Sequence, residues 1–349
     1  MRSIVVLVGG VGGSRFTSGL VAELERRYPD VITRPSVTAV VNTGDDAWIA
    51  GLRLCPDLDS MMYTLAGVND TTRGWGRAGE TERVADELNA YGVGWPWFTL
   101  GDLDLGTLIA RSALLRDGLT LTEATAQLSA RWRGGAGLPV SLLPASDDPV
   151  ETHVRVTLPG ASSESLIHFE EWWVKYRAGL RASGFEQLGI ESARPTPHVL
   201  NAIAGADAII LAPSNPVVSI GTILSIPGLR EAVRAATAPV VGVSPIIAGA
   251  AVRGMADACL TAIGVETSAL AVAAHYGGRV DGGLLDSWLV AEEDAAILGR
   301  IRALGIRALA VPLWMRDLDT SACLAGAALD AAAAESQSRM AKLGRRHGQ

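Results

Sequence analysis

Two short segments of the sequence crowd together side chains that can bind a cation or move a proton: Asn42, Asp45 and Asp46 in "VVNTGDDAW", and Asp57 and Asp59 in "CPDLDS". Hard oxygen donors in that number suit Mg²⁺, which takes one or two carboxylates and completes its shell with water and substrate phosphates. The first segment falls just past the carboxyl end of an apolar run, where open α/β sheets bind ligands. Aspartate also forms turns and caps helices. For Asp57 that structural role is the preferred reading, whereas Asp45 and Asp59 stand evenly between the two.

A second set of residues suits phosphate. "LVGGVGGSRF" (Leu7–Phe16) places Gly9, Gly10, Gly12 and Gly13 directly after a strand-like run and before a helical one. Glycine loses much backbone entropy on folding, so such a cluster is costly unless backbone amides must come close to something. Strand, glycine loop and helix present N–H groups and a helix N-terminus to a diphosphate. With Gly10 and Gly12 as the first glycines of a dinucleotide fingerprint, Arg15 stands where the third belongs, and no Walker lysine follows. The loop reads as a phosphate binder of unspecified nucleotide type, the alternative being a tight turn against a packed helix. In "LAPSNPVVSIG", Ser214, Asn215 and Ser219 follow another apolar run and can hydrogen-bond a base, ribose or phosphate. Gly101, Asp102 and Asp104 in "TLGDLDLGT" read, taken alone, as the start of a helix. Lys175 and Arg177 in "HFEEWWVKYR" could meet an anion, but alternating charge there reads as a solvated strand edge, with Trp172 and Trp173 as packing. There is no GxSxG elbow, and the five histidines and three cysteines show no ligand spacing, so Ser or Cys hydrolysis and zinc chemistry have little support.

These residues need elements to hold them. Ile4–Val8 and Val37–Val41 read as strands, as do the runs in "ADAIILAPSN", "APVVGVSP" and "ALAVPLWM", and helical patterns lie between them. That alternation predicts a parallel α/β sheet. Ser14 is the expected cap of a helix with Phe16, Leu20 and Leu24 on one face. Asp59 is the expected cap of a second helix that stops at Gly67, and Thr120 with Glu123 makes a capping box. "THVRVTLP" and "SLIHFEEWWVKY" read as an antiparallel pair around "GASSES". The expected organisation is a Rossmann-like core at 1–100 and 206–333, an inserted helical and β-hairpin subdomain at 101–205, and a frayed tail at 334–349.

The 349 residues are 48% hydrophobic, enough for a large core, and carry a formal charge of −7. An acidic chain argues against nucleic-acid partners. No apolar run reaches membrane-span length and the opening residues enter a strand directly, so a cytoplasmic location is expected. Lys175 and Lys342 are the only lysines.

Taken together, "LVGGVGGSRF", "AVVNTGDDAW", "CPDLDS", "WFTLGDLDLGTLIARS", "LLPASDDPVETHV", "IHFEEWWVKYRA", "LAPSNPVVSIG" and "SPIIAG" resemble the CofD/FbiA family, the 2-phospho-L-lactate (phosphoenolpyruvate) transferases of coenzyme F420 biosynthesis, in its actinobacterial branch. The resemblance runs from about residue 1 to 333. It implies transfer from a guanosine diphosphate carrying a three-carbon acid to the terminal ribityl hydroxyl of the deazaflavin Fo, with GMP released, Mg²⁺ as cofactor and a homodimer as the assembly. By that resemblance Gly9, Gly10, Gly12, Gly13, Ser14, Ser214, Asn215 and Ser219 hold the nucleotide end. Asn42, Asp59, Thr99, Gly101 and Asp102 stand at the deazaflavin, and Asp45 and Asp59 hold metal and act in catalysis. Leu103 departs from the family pattern, which often has arginine there. The competing reading is a nucleotide-sugar-binding regulator of the YvcK type on the same fold. A dehydrogenase rests on the glycine loop alone.

Overall fold

Alternate residues of the first strand, Ser3–Val8, feed different cores, as a period of two demands when both faces of a sheet are covered. Val5 and Leu7 join one cluster, and Ile4, Val6 and Val8 join the other. The computed structural model describes residues 1–252 and 254–346. Its centre is a seven-stranded sheet, parallel throughout, in the order Ser141–Pro144, Ser36–Val41, Ser3–Val8, Ala208–Leu211, Val240–Val243, Ser287–Ala291 and Arg307–Val311. Counted along the chain this is 3-2-1-4-5-6-7, a Rossmann-like arrangement. The order reverses between Ser3–Val8 and Ala208–Leu211, and open α/β sheets bind ligands at such a point, beyond the strands' carboxyl ends.

One face is covered by the helix Gly10–Arg27 and the C-terminal helix Leu318–Arg346. They cross closely at Gly19, where a Cβ would lie 2.4 Å from the Ser321 carbonyl carbon. The other face carries the small sheet of the insertion. Glu151–Thr157 pairs antiparallel with Glu164–His168, as expected, and on its far side with a third strand, Ala182–Leu188, that the sequence pattern did not announce.

Several expectations are corrected. The second hairpin strand ends at His168, and Glu171–Lys175 is a π-helical turn rather than strand, because Trp172 turns inward, fully buried, and its indole N–H donates to the Leu180 carbonyl at 2.8 Å. Ser141–Pro144 lies inside the span read as insertion, yet it is the edge strand of the main sheet. The tail continues as helix to Arg346, where Arg339 pairs with Asp286 and donates to the Thr237 carbonyl at 2.6 Å. Residues 347–349 of that expected tail lie outside the described residues. Ser14 is not a cap: Gly9 occupies that position, and the Ser14 hydroxyl donates back to the Gly10 carbonyl. Asp59 is likewise inside its helix, Pro56–Ala66, whose N-cap is Cys55 and whose C-cap is Gly67 at φ 71°. The Thr120–Glu123 capping box forms as expected.

Candidate active site

The crevice is built from three loop ends, and each was visible as a polar segment after an apolar strand. Gly9 and Gly10 follow the first strand at the N-terminus of the Gly10–Arg27 helix. Their amides are already engaged: Gly9 N–H donates to Ser214 Oγ at 3.1 Å, and Gly10 N–H donates to Asp57 Oδ1 at 2.7 Å. Ser214 also donates to the Gly9 carbonyl at 2.6 Å, so it ties the two loops together across the switch point. There is no room for side chains here. A Cβ on Gly9 would sit 2.6 Å from Asp57 Oδ2, and one on Gly13 would sit 2.2 Å from Val8 Cγ2. Gly12 faces the Pro213 carbonyl, 3.0 Å from where its Cβ would be. Asn215 spends its amide locally, accepting from Val217 and Val218 N–H and donating to Cys259 Sγ. Ser219 is buried beside Gly9.

The second loop carries the acids. Asn42 reaches Asp57 Oδ2 at 2.9 Å and Asp45 Oδ2 at 3.4 Å, and its own oxygen accepts the Gly44 N–H. Asp45 Oδ1 is buried and has no partner among the described residues. Burial, with the Asp57, Glu170 and Asp46 charges around it, holds Asp45 well above the ordinary carboxylate range. Asp57 is pushed up to about 6, burial outweighing the bonds from Asn42 and Gly10. Asp57, read from sequence as a turn former, is the residue that joins the acidic loop to the glycine loop.

Asp46 and Asp59 belong to a different environment because each has an arginine. Arg53 lies 3.2 Å from Asp46, which burial still raises to about 7. Arg111 grips both oxygens of Asp59 and donates to the Arg53 carbonyl, all of it buried. Burial pushes Asp59 up while the Arg111 guanidinium opposes it. Asp45 and Asp59, expected as a metal-holding pair, thus stand in different surroundings. The charges around Asp45 are Asp57, Glu170 and Asp46, whereas Asp59 faces Arg111. Among the described residues no three His, Cys, Asp or Glu side chains converge as a metal cage.

On the expected deazaflavin side, Thr99 is exposed and Gly101 is wedged against Glu80, whose Cδ would lie 1.9 Å from a Cβ. Asp102 accepts from the Thr81 N–H and hydroxyl, a loop-closing role, and Asp104 accepts from Tyr63 at 2.6 Å. Leu103 is 39% exposed and brings no charge. Ser244 closes its own turn through Ile246, and Lys175 pairs with Glu171. Sequence reasoning missed Arg53, Arg111 and Glu170. The available signal was a charged residue embedded in an apolar run, "LIARSALL" for Arg111 and "HFEEWW" for Glu170.

The sequence profile described as "2-phospho-L-lactate transferase CofD" matches residues 4–308. The chain belongs to the CofD family. CofD-family proteins named phosphoenolpyruvate transferase are close to it in sequence. That of Mycobacterium ulcerans is 52% identical over 332 residues, covering 94% of this chain and 98% of its own. That of Thermobifida fusca is 53% identical over 329 residues, covering 94% and 97%. A crystal structure of a UPF0052 family protein from Bacillus halodurans matches at TM-score 0.57 and 16% identity, covering 94% of this chain and 98% of its own. At that identity the likeness speaks for the fold alone. The CofD membership makes the chain a member of a transferase family, and no helix among the described residues is long and apolar enough to cross a membrane.

Proposed function

We propose that this CofD-family chain transfers the phosphoenolpyruvyl group from enolpyruvyl-diphosphoguanosine to the terminal ribityl hydroxyl of Fo, releasing GMP and forming dehydro-F420-0. The lactyl analogue, giving F420-0, is the alternative donor. The observation that carries this reading is end-to-end identity of 52–53% with proteins named phosphoenolpyruvate transferase. The reaction is a phosphotransfer of a substituted phosphate group and asks mainly for positioning and charge neutralisation.

The arrangement of residues supports it. The helix N-terminus at Gly10 favours an anion, and the Asp57 carboxylate now bonds that amide. An incoming diphosphate would meet Asp57 there, two anions in one place. The orphaned oxygen of buried Asp45, with Asn42 and Asp57 beside it, fits Mg²⁺ completed by donor phosphates. When bound, Mg²⁺ supplies positive charge against the diphosphate. Asp59 is committed to Arg111, so Asp45 is the better-placed ligand. Ser214 keeps the two loops in register.

The reading is tested by incubating purified protein with Mg²⁺, Fo and each donor in parallel, identifying products by mass spectrometry. GMP and an anionic deazaflavin are expected; consumption of neither donor rejects it. A nucleotide-sugar-binding regulator would leave Fo fluorescence unchanged on titration, whereas the transferase quenches it or raises its anisotropy. Light scattering checks the homodimer that accompanies this reading.

A further inference from the structure

The helix Gly10–Arg27 brings no cap of its own. Gly9 stands at its N-cap without a side chain, and no acid lies in its first turn. The first amide is served from another element: Gly10 N–H donates to Asp57 Oδ1 at 2.7 Å, and Asn42 Nδ2 donates to Asp57 Oδ2 at 2.9 Å. Asp57 is 6% exposed and sits in the first turn of the helix Pro56–Ala66, so its backbone is fixed. The glycine loop is shaped to this carboxylate. A Cβ on Gly9 would sit 2.6 Å from Asp57 Oδ2, and Gly10 takes φ 66°. A permanent cap ordinarily sits at the N-cap itself. A cap lent across 47 positions of chain is different, because a turn about the side chain's own bonds removes it.

We propose that Asp57 is a placeholder for the donor's diphosphate: it fills the anion seat at the Gly10 amide and turns away when a phosphate takes that bond. This rests on the nucleoside-diphosphate donor of the reading above. Helix N-termini bind phosphate through such amides. A phosphate oxygen bonded to Gly10 N–H would occupy the place of Asp57 Oδ1, and two anions that close repel strongly where water is scarce. Asp57 must give up its bond before the phosphate can have it. The neighbours show where its charge is then answered. Asn42 reaches both Asp57 and Asp45, and Asp45 Oδ1 is buried without a partner among the described residues. A divalent cation held by Asp45 and the released Asp57 answers both carboxylates. Cation and diphosphate therefore strengthen each other's binding through one side chain, and the coupling is reciprocal. Ser214 is the contrast: it holds the Gly9 N–H and carbonyl, a neutral tie with no charge to set against a phosphate.

The test measures the affinity of GDP and of inorganic pyrophosphate by calorimetry for wild type, Asp57→Asn and Asp57→Ala, each in EDTA and in Mg²⁺. In EDTA both variants are expected to bind GDP and pyrophosphate at least about fivefold tighter than wild type, because the competing charge is gone. Mg²⁺ is expected to tighten GDP binding to wild type by about 5–150-fold and to tighten it far less in the variants. Variants whose affinity in EDTA equals that of wild type overturn the proposal, the result for a carboxylate that only holds the cation. Variants that bind more weakly in EDTA overturn it too, the result for a carboxylate that only props the loop. If neither variant folds, wild type decides: GDP affinity that is the same in EDTA and in Mg²⁺ overturns it. A protein that shows the expected pattern but consumes neither donor keeps the placeholder and loses the transferase reading. An active enzyme whose Asp57 variants bind GDP no tighter in EDTA loses the placeholder alone.

Discussion

Arg111 and Asp59 form the most tightly committed pair in the crevice, both buried and joined through two hydrogen bonds. Removing one partner of a buried ion pair strands the other charge. Asp59→Ala is therefore expected to lose about 3–5 kcal/mol of stability, read as a lower urea midpoint. The double variant Asp59→Leu/Arg111→Met recovers most of it, because apolar replacement of both partners removes the desolvation cost. A double variant no more stable than the single one would contradict this account. Gly13 gives a second residue-scale prediction. Its Cβ would meet Val8 and Ser214 Oγ, so Gly13→Ala overpacks the loop, costs about 1–3 kcal/mol and breaks the Ser214 tie. Thermal denaturation and GDP titration should both register the change. Residue types alone pointed to Asp45, Asp57 and Asp59, yet only their partners separate them: Asn42 and an oxygen unpartnered among the described residues for Asp45, Gly10 for Asp57, Arg111 for Asp59.

At the scale of elements, local signals served where the physics is local. The Thr120–Glu123 box lies within one turn, and its bonds form as its spacing requires. Thr120→Ala should cost about 1 kcal/mol and leave GMP release unchanged, since that helix lies away from the crevice. Loss of activity without loss of stability would place the helix in the site. Signals failed where a distant contact decides. "HFEEWWVKY" has strand-like composition, but burying Trp172 against the Leu180 carbonyl bends it into a π-helical turn. Ser14 resembles a cap in sequence, yet Gly9 takes that position because the loop must pass close to Asp57 and Ser219.

For the whole molecule, the crevice concentrates negative charge in a poorly solvated place. Burial pushes Asp57, Asp46 and Glu170 up to about 6, 7 and 8. Groups whose folded pKa is raised stabilise the protein fully below their unfolded values and lose that contribution as pH rises through the folded ones. The protein without ligand is expected to have a higher Tm near pH 5.5 than near pH 8.5, with the loss accumulating across about 5 to about 8. Added Mg²⁺ should flatten that slope by countering the charge of Asp45 and its neighbours. A Tm that rises steadily over the same window would show that other groups dominate.

The sequence by itself determined the parallel α/β core, because period-two apolar strands alternating with amphipathic helices leave few other ways to bury both faces. It also determined which loops carry polar groups to the strand ends, and the resemblance carried by those loops led to the CofD family. The tertiary structure decided which polar group answers which. Asp57 meets Gly10 across 47 positions of chain, Arg111 meets Asp59 across 52, and Ser214 meets Gly9 across 205. Such pairings depend on how strands order themselves in the sheet and on which face the insertion covers, and no local spacing encodes either.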